Sequence, residues 1–117
     1  MQPPVFRLRI VFPGRGMVGP GKAELLQRIG ETGSIAAAGR AMGMSYKRAW
    51  QLVETMNTTF SAPVVTSVRG GARGGGATLT ATGVQVLAAY VAAVEAASAA
   101  AGPGADRLAA LLREEGD

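Results

Sequence analysis

The sequence predicts a mainly α-helical fold with a small antiparallel β-hairpin, an α+β arrangement. Apolar residues recur at helical spacing in three short segments between residues 22 and 60, which predicts three short helices. Two β-prone runs then flank a glycine-rich stretch, and a long alanine-rich segment follows from Ala81. The chain has 117 residues, of which 48% are hydrophobic, and this is enough for one compact core.

The pattern of apolar residues in the N-terminal region predicts one strand and one helix. Apolar residues alternate with Arg7, Arg9 and Val11 between residues 6 and 12, which is typical of a half-buried strand ending at Pro13. Such a strand needs a partner, which we expect later in the chain. After a glycine-rich turn over residues 14–21, the apolar spacing predicts a first helix over residues 22–29, which stops at Gly30.

A pair of helices joined by a glycine turn follows. Ser34 is a candidate N-cap for a second helix over residues 35–42, which ends at Gly43, where a positive φ is available. Ser45 is the candidate cap of a third helix. Its core-facing residues are Ala49, Leu52, Val53, Met56 and Phe60. Trp50 lies between this apolar face and the polar face, and core packing is its expected role; the alternative is that its indole packs beneath the hairpin or donates to a phosphate.

The opposite side of the third helix is polar and carries Tyr46, Lys47, Arg48 and Gln51. A helix that is apolar behind and rich in hydrogen-bonding groups in front fits the DNA major groove, where each base pair presents its own donors and acceptors. The second helix consists mostly of small residues, which let the two helices approach closely. These residues are Ala36, Ala37, Ala38, Gly39 and Ala41.

A hairpin is predicted after the third helix. Residues 64–68 and 77–80 are β-prone, and the loop over residues 69–76 holds Arg69 and Arg73 among five glycines. Arginines on such a loop can reach phosphates. Two helices followed by this hairpin have the order of a winged helix-turn-helix. The residues expected to contact double-stranded DNA are Ser34, Ser45, Tyr46, Lys47, Arg48, Gln51, Arg69 and Arg73.

The C-terminal region is predicted to be helical. Thr80 caps a long helix over residues 81–101, Gly102-Pro103-Gly104 breaks it, and a last amphipathic helix covers residues 105–115. We expect these helices to form a homodimer interface, with residues 1–80 as the DNA-binding domain and residues 81–117 as the dimerisation region. The alternative is that they cover the domain's own core. The expected interface residues are Leu87, Tyr90, Val91, Val94, Ser98, Leu108, Leu111 and Leu112.

Composition excludes most enzyme designs. Cysteine and histidine are absent, which removes disulfides, thiolate metal sites and the commonest general base. An enzyme would have to use Glu24, Glu31, Glu54 or Tyr46, and no pair of these is convincingly placed. We therefore expect no catalytic residue, metal or cofactor. Uninterrupted apolar runs are shorter than a membrane span and no signal peptide opens the chain, so we expect a soluble cytoplasmic protein with no membrane partner.

Charge is distributed unevenly along the chain. Residues 1–80 carry 10 Lys and Arg against 3 Asp and Glu, a net charge of +7, and residues 81–117 carry 2 against 5, a net charge of −3. A basic body followed by a mildly acidic tail is typical of a domain that meets a polyanion on one side.

Several motifs carry a resemblance to a known family. They are Gly33-Ser34-Ile35, Gly43-Met44-Ser45-Tyr46-Lys47-Arg48-Ala49-Trp50, Met56-Asn57, and Gly70-Gly71 through Gly74-Gly75-Gly76-Ala77-Thr78-Leu79-Thr80. Over residues 8–90 the chain resembles the N-terminal domain of the ModE family of molybdate-responsive transcriptional regulators. LysR-type regulators share the layout without this signature.

The resemblance implies a winged helix in which residues 45–56 enter the major groove. Tyr46, Lys47 and Arg48 then take the recognition role, the wing touches the DNA backbone, and outer helices pair two subunits. Full-length ModE regulators continue into molybdate-binding β-barrel domains, which this chain does not contain. Control by an oxyanion-sensing partner chain and constitutive binding both remain open.

These features together predict a sequence-specific DNA-binding transcriptional regulator of molybdenum-related or oxyanion transport and metabolism genes. It would act as a homodimer on a pseudo-palindromic operator. The alternatives are a dimeric adaptor that does not bind DNA and a nonspecific DNA-binding protein.

Overall fold

The computed structural model describes residues 2–68 and 76–115. Arg69 and Arg73 lie outside the described residues. The elements are β1 (Ile10–Phe12), β2 (Gly16–Val18), α1 (Pro20–Thr32), α2 (Ile35–Ala41), α3 (Tyr46–Thr59), β3 (Val65–Val68), β4 (Gly76–Leu79) and α4 (Ala81–Ala110). The predicted mainly helical fold, with an antiparallel hairpin and a long C-terminal helix, is confirmed.

The N-terminal strand is shorter than predicted, and its partner is local. Strand β1 pairs antiparallel with β2, which places Ile10 opposite Val18 and Phe12 opposite Gly16. The chain reverses at Gly14, whose φ of 73° favours glycine, and the Arg15 amide donates to the Phe12 carbonyl. The expectation of a partner later in the chain is confirmed, and this tight turn makes the immediately following residues 16–18 that partner.

Helix α1 extends beyond the predicted residues 22–29 at both ends. It starts at Pro20, whose fixed φ suits the first helical turn, and it ends at Gly33, which has a φ of 69°. Gly30 does not stop the helix. Its lack of a side chain serves packing instead, because a Cβ there would lie 3.3 Å from a methyl carbon of Leu79.

The core lies between α1, α2, α3 and the β3–β4 hairpin. Its largest fully buried side chains are Leu25, Leu26, Ile29, Met56 and Val64. Helices α2 and α3 approach closely at Gly39, where a Cβ would lie 3.0 Å from the Cβ of Ala49. The small residues of α2 therefore let it cross α3 tightly, as the sequence predicts.

The hairpin is attached to the α1–α2 connection. Strands β3 and β4 pair antiparallel with Val65 opposite Leu79, and the Ala77 amide donates to the Gly33 carbonyl at 2.9 Å. Gly76 packs against the same carbonyl so closely that a Cβ would lie 2.7 Å from it. The base of the hairpin is thus held in a set position beside the N-terminus of α2.

Helix α4 is continuous through Pro103, so the predicted break at residues 102–104 and the separate last helix over residues 105–115 were wrong. A proline removes one backbone hydrogen bond but keeps a helical φ. Its ring crowds the carbonyl four residues earlier and the backbone and Cβ of the preceding residue, and Gly102 relieves the last of these contacts because it has no Cβ. The helix starts at Thr80, whose side chain accepts a hydrogen bond from the Gly83 amide at 3.0 Å.

The first half of α4 packs on the rest of the protomer. Tyr90 is 8% exposed and forms a second apolar cluster with Val18 and Ala23. Its hydroxyl donates to the carbonyl of Leu8, which ties the N-terminal segment to α4. Tyr90, an expected dimer residue, therefore lies inside the protomer.

Helix α4 is also long and apolar enough to cross a membrane, with an 18-residue window of mean hydropathy 1.5. Glu95 and Ser98 interrupt its apolar run, but the average over its alanines and valines is high. One such helix is weak evidence for a membrane segment. The buried residues of this helix within the protomer are Gly83 and Tyr90.

Replacing Tyr90 with Phe is expected to lower the free energy of unfolding by about 1 kcal/mol, because the Leu8 carbonyl loses its donor while the ring stays packed. Urea unfolding followed by circular dichroism measures this change. Trypsin should also cleave faster after Arg7 and Arg9. The matched control is Tyr46→Phe on the exposed face of α3, which should not change the urea concentration at half-unfolding. Equal shifts of this midpoint in both variants would contradict the role assigned to the Tyr90 hydroxyl.

Candidate nucleic-acid interface

Helix α3 presents a polar face to solvent. Its inner side is held by Ala49, Val53 and Met56, which are buried against α1 and α2. This packing turns the opposite side outward, and Tyr46 is 57% exposed there. Lys47, Arg48 and Gln51 are exposed as well. The structure therefore leaves all four predicted α3 residues exposed to solvent, spread around the outer part of the first turns of the helix.

The two predicted serines cap helices. The Ser34 hydroxyl accepts from the Ala37 amide at 3.0 Å, and the Ser45 hydroxyl accepts from the Arg48 amide at 3.1 Å. Each hydroxyl keeps its own hydrogen free to donate. Both serines lie at helix N-termini, where backbone amides and the helix dipole favour an anion.

Trp50 does not pack in the core, so this expectation was wrong. The space behind α3 is filled by Leu25, Leu26 and Ile29, and the Trp50 side chain is 46% exposed. It lines a trough of about 260 Å³ between α3, the N-terminus of α2 and the base of the hairpin. Other polar residues of this trough are Ser34, Tyr46, Glu54, Asn57, Thr66 and Ser67.

Asn57 joins α3 to the hairpin. Its side-chain oxygen accepts from the amides of Val64 at 2.8 Å and Val65 at 3.2 Å, and its Nδ2 donates to the Val65 carbonyl at 3.3 Å. In the sequence Asn57 stands out only as part of the Met56-Asn57 motif, which predicts no role for it. Its place on α3, seven residues before a β-prone run, is the only signal that could have indicated one.

The basic side chains near α3 include Lys22, which sequence analysis missed. Its Nζ donates to the Met17 carbonyl at 3.1 Å. Burial and then the positive charge of Arg48 lower the pKa of Lys22 below its ordinary value. Among residues 2–68 and 76–115 the only ion pair joins Arg28 to Glu24 at 2.7 Å, so described acids do not neutralise this pair of cations.

The expected dimer residues fall into two groups. Leu87, Tyr90 and Val94 pack against the N-terminal hairpin and α1. Val91, Leu108 near the end of α4, and Leu111 and Leu112 just after it are exposed, with Leu111 82% exposed. Ser98 is half-buried. One part of the predicted seam thus covers the protomer and the other part faces solvent.

The described residues offer no metal site, since no group of three or more His, Cys, Asp or Glu lies together in them. What the surface offers is a row of hydrogen-bonding and cationic side chains on one helix, beside a hairpin. A helix pair with a glycine turn, followed by such a hairpin, has the element order of the winged helix-turn-helix class.

Comparison with known proteins identifies relatives of the chain. The chain is 52% identical over 73 residues to the molybdenum-pterin-binding protein MopB of Rhodobacter capsulatus. It is 41% identical over 69 residues to the molybdenum transport protein ModE of Azotobacter vinelandii. It is 37% identical over 71 residues to the DNA-binding transcriptional dual regulator ModE of Escherichia coli. The resemblance to ModE-type regulators is therefore confirmed.

The similarity covers most of this chain and a minor part of each relative. The three alignments span 62%, 59% and 61% of the chain and 27%, 26% and 27% of the respective relatives. The chain thus spans about a quarter of the length of these relatives. No family model matches it.

Proposed function

We propose that this chain is a sequence-specific, double-stranded DNA-binding transcriptional regulator of the cytoplasm. The observation that carries the proposal is the outward-facing row of Tyr46, Lys47, Arg48 and Gln51 on a helix anchored by a buried apolar face. A helix of this kind fits the major groove, and its N-terminal residues reach base edges.

Each side chain of this row has a chemical role in the proposal. Lys47 and Arg48 donate to guanine O6 and N7, and Gln51 both donates to and accepts from an adenine edge. Ser34 and Ser45 donate to phosphates at the helix N-termini, and Lys22 adds a cation beside Arg48. Arg69 and Arg73 of the loop add phosphate contacts that raise affinity for all sequences alike.

A homodimer is part of the proposal. Exposed apolar residues of the C-terminal region support it, because apolar surface that the protomer leaves exposed favours burial against a second copy. These residues are Val84, Val91, Leu108, Leu111 and Leu112. A dimer would present two recognition helices about one DNA turn apart, roughly 34 Å, on a pseudo-palindromic operator. Residues 1–80 would form the DNA-binding domain and residues 81–117 the dimerisation region.

The regulated genes follow from the relatives. Because these relatives are molybdenum-binding, molybdenum transport and regulatory proteins by name, we infer that the operators control molybdenum-related or oxyanion transport and metabolism genes. The chain spans only about a quarter of those proteins, so oxyanion sensing would come from protein outside these 117 residues, such as a partner chain.

Selection from random duplexes tests the function. Purified protein is incubated with the pool at near-physiological salt, and retained DNA is sequenced, with and without molybdate. The expected result is an inverted repeat whose half-sites lie about 10 base pairs apart. A retained pool without any enriched motif would identify a nonspecific DNA binder, and no retention at all would favour a dimeric adaptor that binds a protein instead.

A further inference from the structure

Glu54 is an acid on an otherwise basic and neutral surface. It belongs to a stripe of every fourth residue along α3, Tyr46, Trp50 and Glu54, and all three line the same trough beside the hairpin. Glu54 is exposed, and the hydrogen bonds and ion pairs of the described residues do not include it. It is the ninth of the fourteen residues of α3, so the helix dipole does not favour it either.

A carboxylate on this face is costly unless it contacts a specific donor. Phosphates repel it, and an ionised carboxylate accepts hydrogen bonds but donates none. In the major groove the guanine O6 and N7 and the thymine O4 are acceptors as well. The donors are the N4 amino group of cytosine and the N6 amino group of adenine.

Between these two donors cytosine fits better. Adenine N7 is an acceptor directly beside N6, and it would repel the second carboxylate oxygen, whereas cytosine carries a C–H group beside N4. Trp50, one turn before Glu54, is 46% exposed and its ring would exclude water from such a contact. Gln51, three residues before Glu54, is exposed on the same outer side of the helix.

We infer that Glu54 is a specificity-determining residue that accepts a hydrogen bond from the N4 amino group of one cytosine in each half-site. This inference rests on the proposed function of α3 as the recognition helix. It assigns Glu54 to base selection, in contrast to the neighbouring cations, which also raise affinity through phosphates. Discrimination at that position is roughly 10- to 100-fold.

The test compares the duplexes selected by the wild type, Glu54→Gln and Glu31→Gln. The glutamine introduced by Glu54→Gln keeps the size and helix propensity of the original side chain but both donates and accepts, which suits adenine. Glu31 is an exposed acid near the end of α1 and serves as the matched control. Competition between duplexes that differ at the selected position then measures the discrimination ratio.

We expect the wild type and Glu31→Gln to prefer cytosine at the same position of each half-site. Glu54→Gln should lose that preference, so that the ratio of affinities for the cytosine duplex and the other duplexes falls below about twofold. It should also select adenine at this position more often than the wild type does. An unchanged cytosine preference in Glu54→Gln, with higher affinity for every duplex, would overturn the inference and reduce Glu54 to a source of repulsion. A wild type that enriches no motif would overturn the proposed function itself, so the two failures are distinguishable.

Discussion

Asn57→Leu is expected to lower the free energy of unfolding by about 3 kcal/mol and to abolish high-affinity DNA binding. The asparagine makes three hydrogen bonds to the backbone of Val64 and Val65, both of which are buried. Leucine has a similar volume but leaves two amides and a carbonyl without partners in a water-poor site. Each such group costs about 1–3 kcal/mol, which exceeds any gain from the extra apolar surface.

Urea unfolding measures the stability change, and a fluorescence assay with the selected duplex measures binding. Asn57→Asp separates the two kinds of bond, because it keeps the acceptor for both amides and loses the donor to the Val65 carbonyl. The free energy of unfolding of Asn57→Asp should therefore lie between those of the wild type and Asn57→Leu. Thr58→Ala, on the solvent side of the same helix, is the control and should change stability by less than about 0.5 kcal/mol. A leucine variant as stable as this control would show that Asn57 does not hold the hairpin.

Gly83→Ala is expected to destabilise the fold by about 3 kcal/mol, although alanine is the better helix former. A Cβ at this position would lie 2.1 Å from the Val64 carbonyl oxygen. This oxygen belongs to the backbone, so it cannot move aside as easily as the end of a flexible side chain. The same oxygen accepts from the Thr80 amide at 3.0 Å, so moving it also loosens the start of α4. The helix-propensity gain of about 1 kcal/mol is smaller than this cost.

Gly104→Ala is the matched control, since it lies in the same helix and a Cβ at this position would have no neighbouring atom within 4 Å. There the propensity gain acts alone, and the free energy of unfolding should rise by up to about 1 kcal/mol. Thermal and urea unfolding of the two variants should therefore shift in opposite directions. Shifts of the same sign would contradict the close approach between α4 and Val64.

Local signals in the sequence were sufficient for most helices and for the β3–β4 hairpin. Ser34 and Ser45 are caps because a side-chain oxygen next to a helical run satisfies a free amide, and Gly43 ends α2 because it can take a positive φ. The outward position of Tyr46, Lys47, Arg48 and Gln51 followed from the spacing of the apolar residues behind them.

Proline and glycine gave wrong predictions of element ends where neighbouring residues changed their effect. Pro103 reads as a helix break, yet α4 continues to Ala110, and the absence of a Cβ at Gly102 removes one of the contacts that disfavour a helical residue before proline. Gly30 reads as a helix end, yet the close packing of Leu79 explains a glycine inside α1. Pro13 and Gly14 end the first strand as predicted, and only its length was overestimated, because the paired part is Ile10–Phe12.

What the sequence alone determined is the order of elements and the chemistry of the α3 surface, because both depend on residues only a few positions apart. Which side chains meet across the fold was decided by tertiary structure alone. Asn57 reaches the hairpin, Tyr90 reaches Leu8 over 82 positions, and Trp50 stays at the surface because other residues fill the core. Such contacts depend on how the helices pack against one another, and periodicity within one helix carries no information about its neighbours.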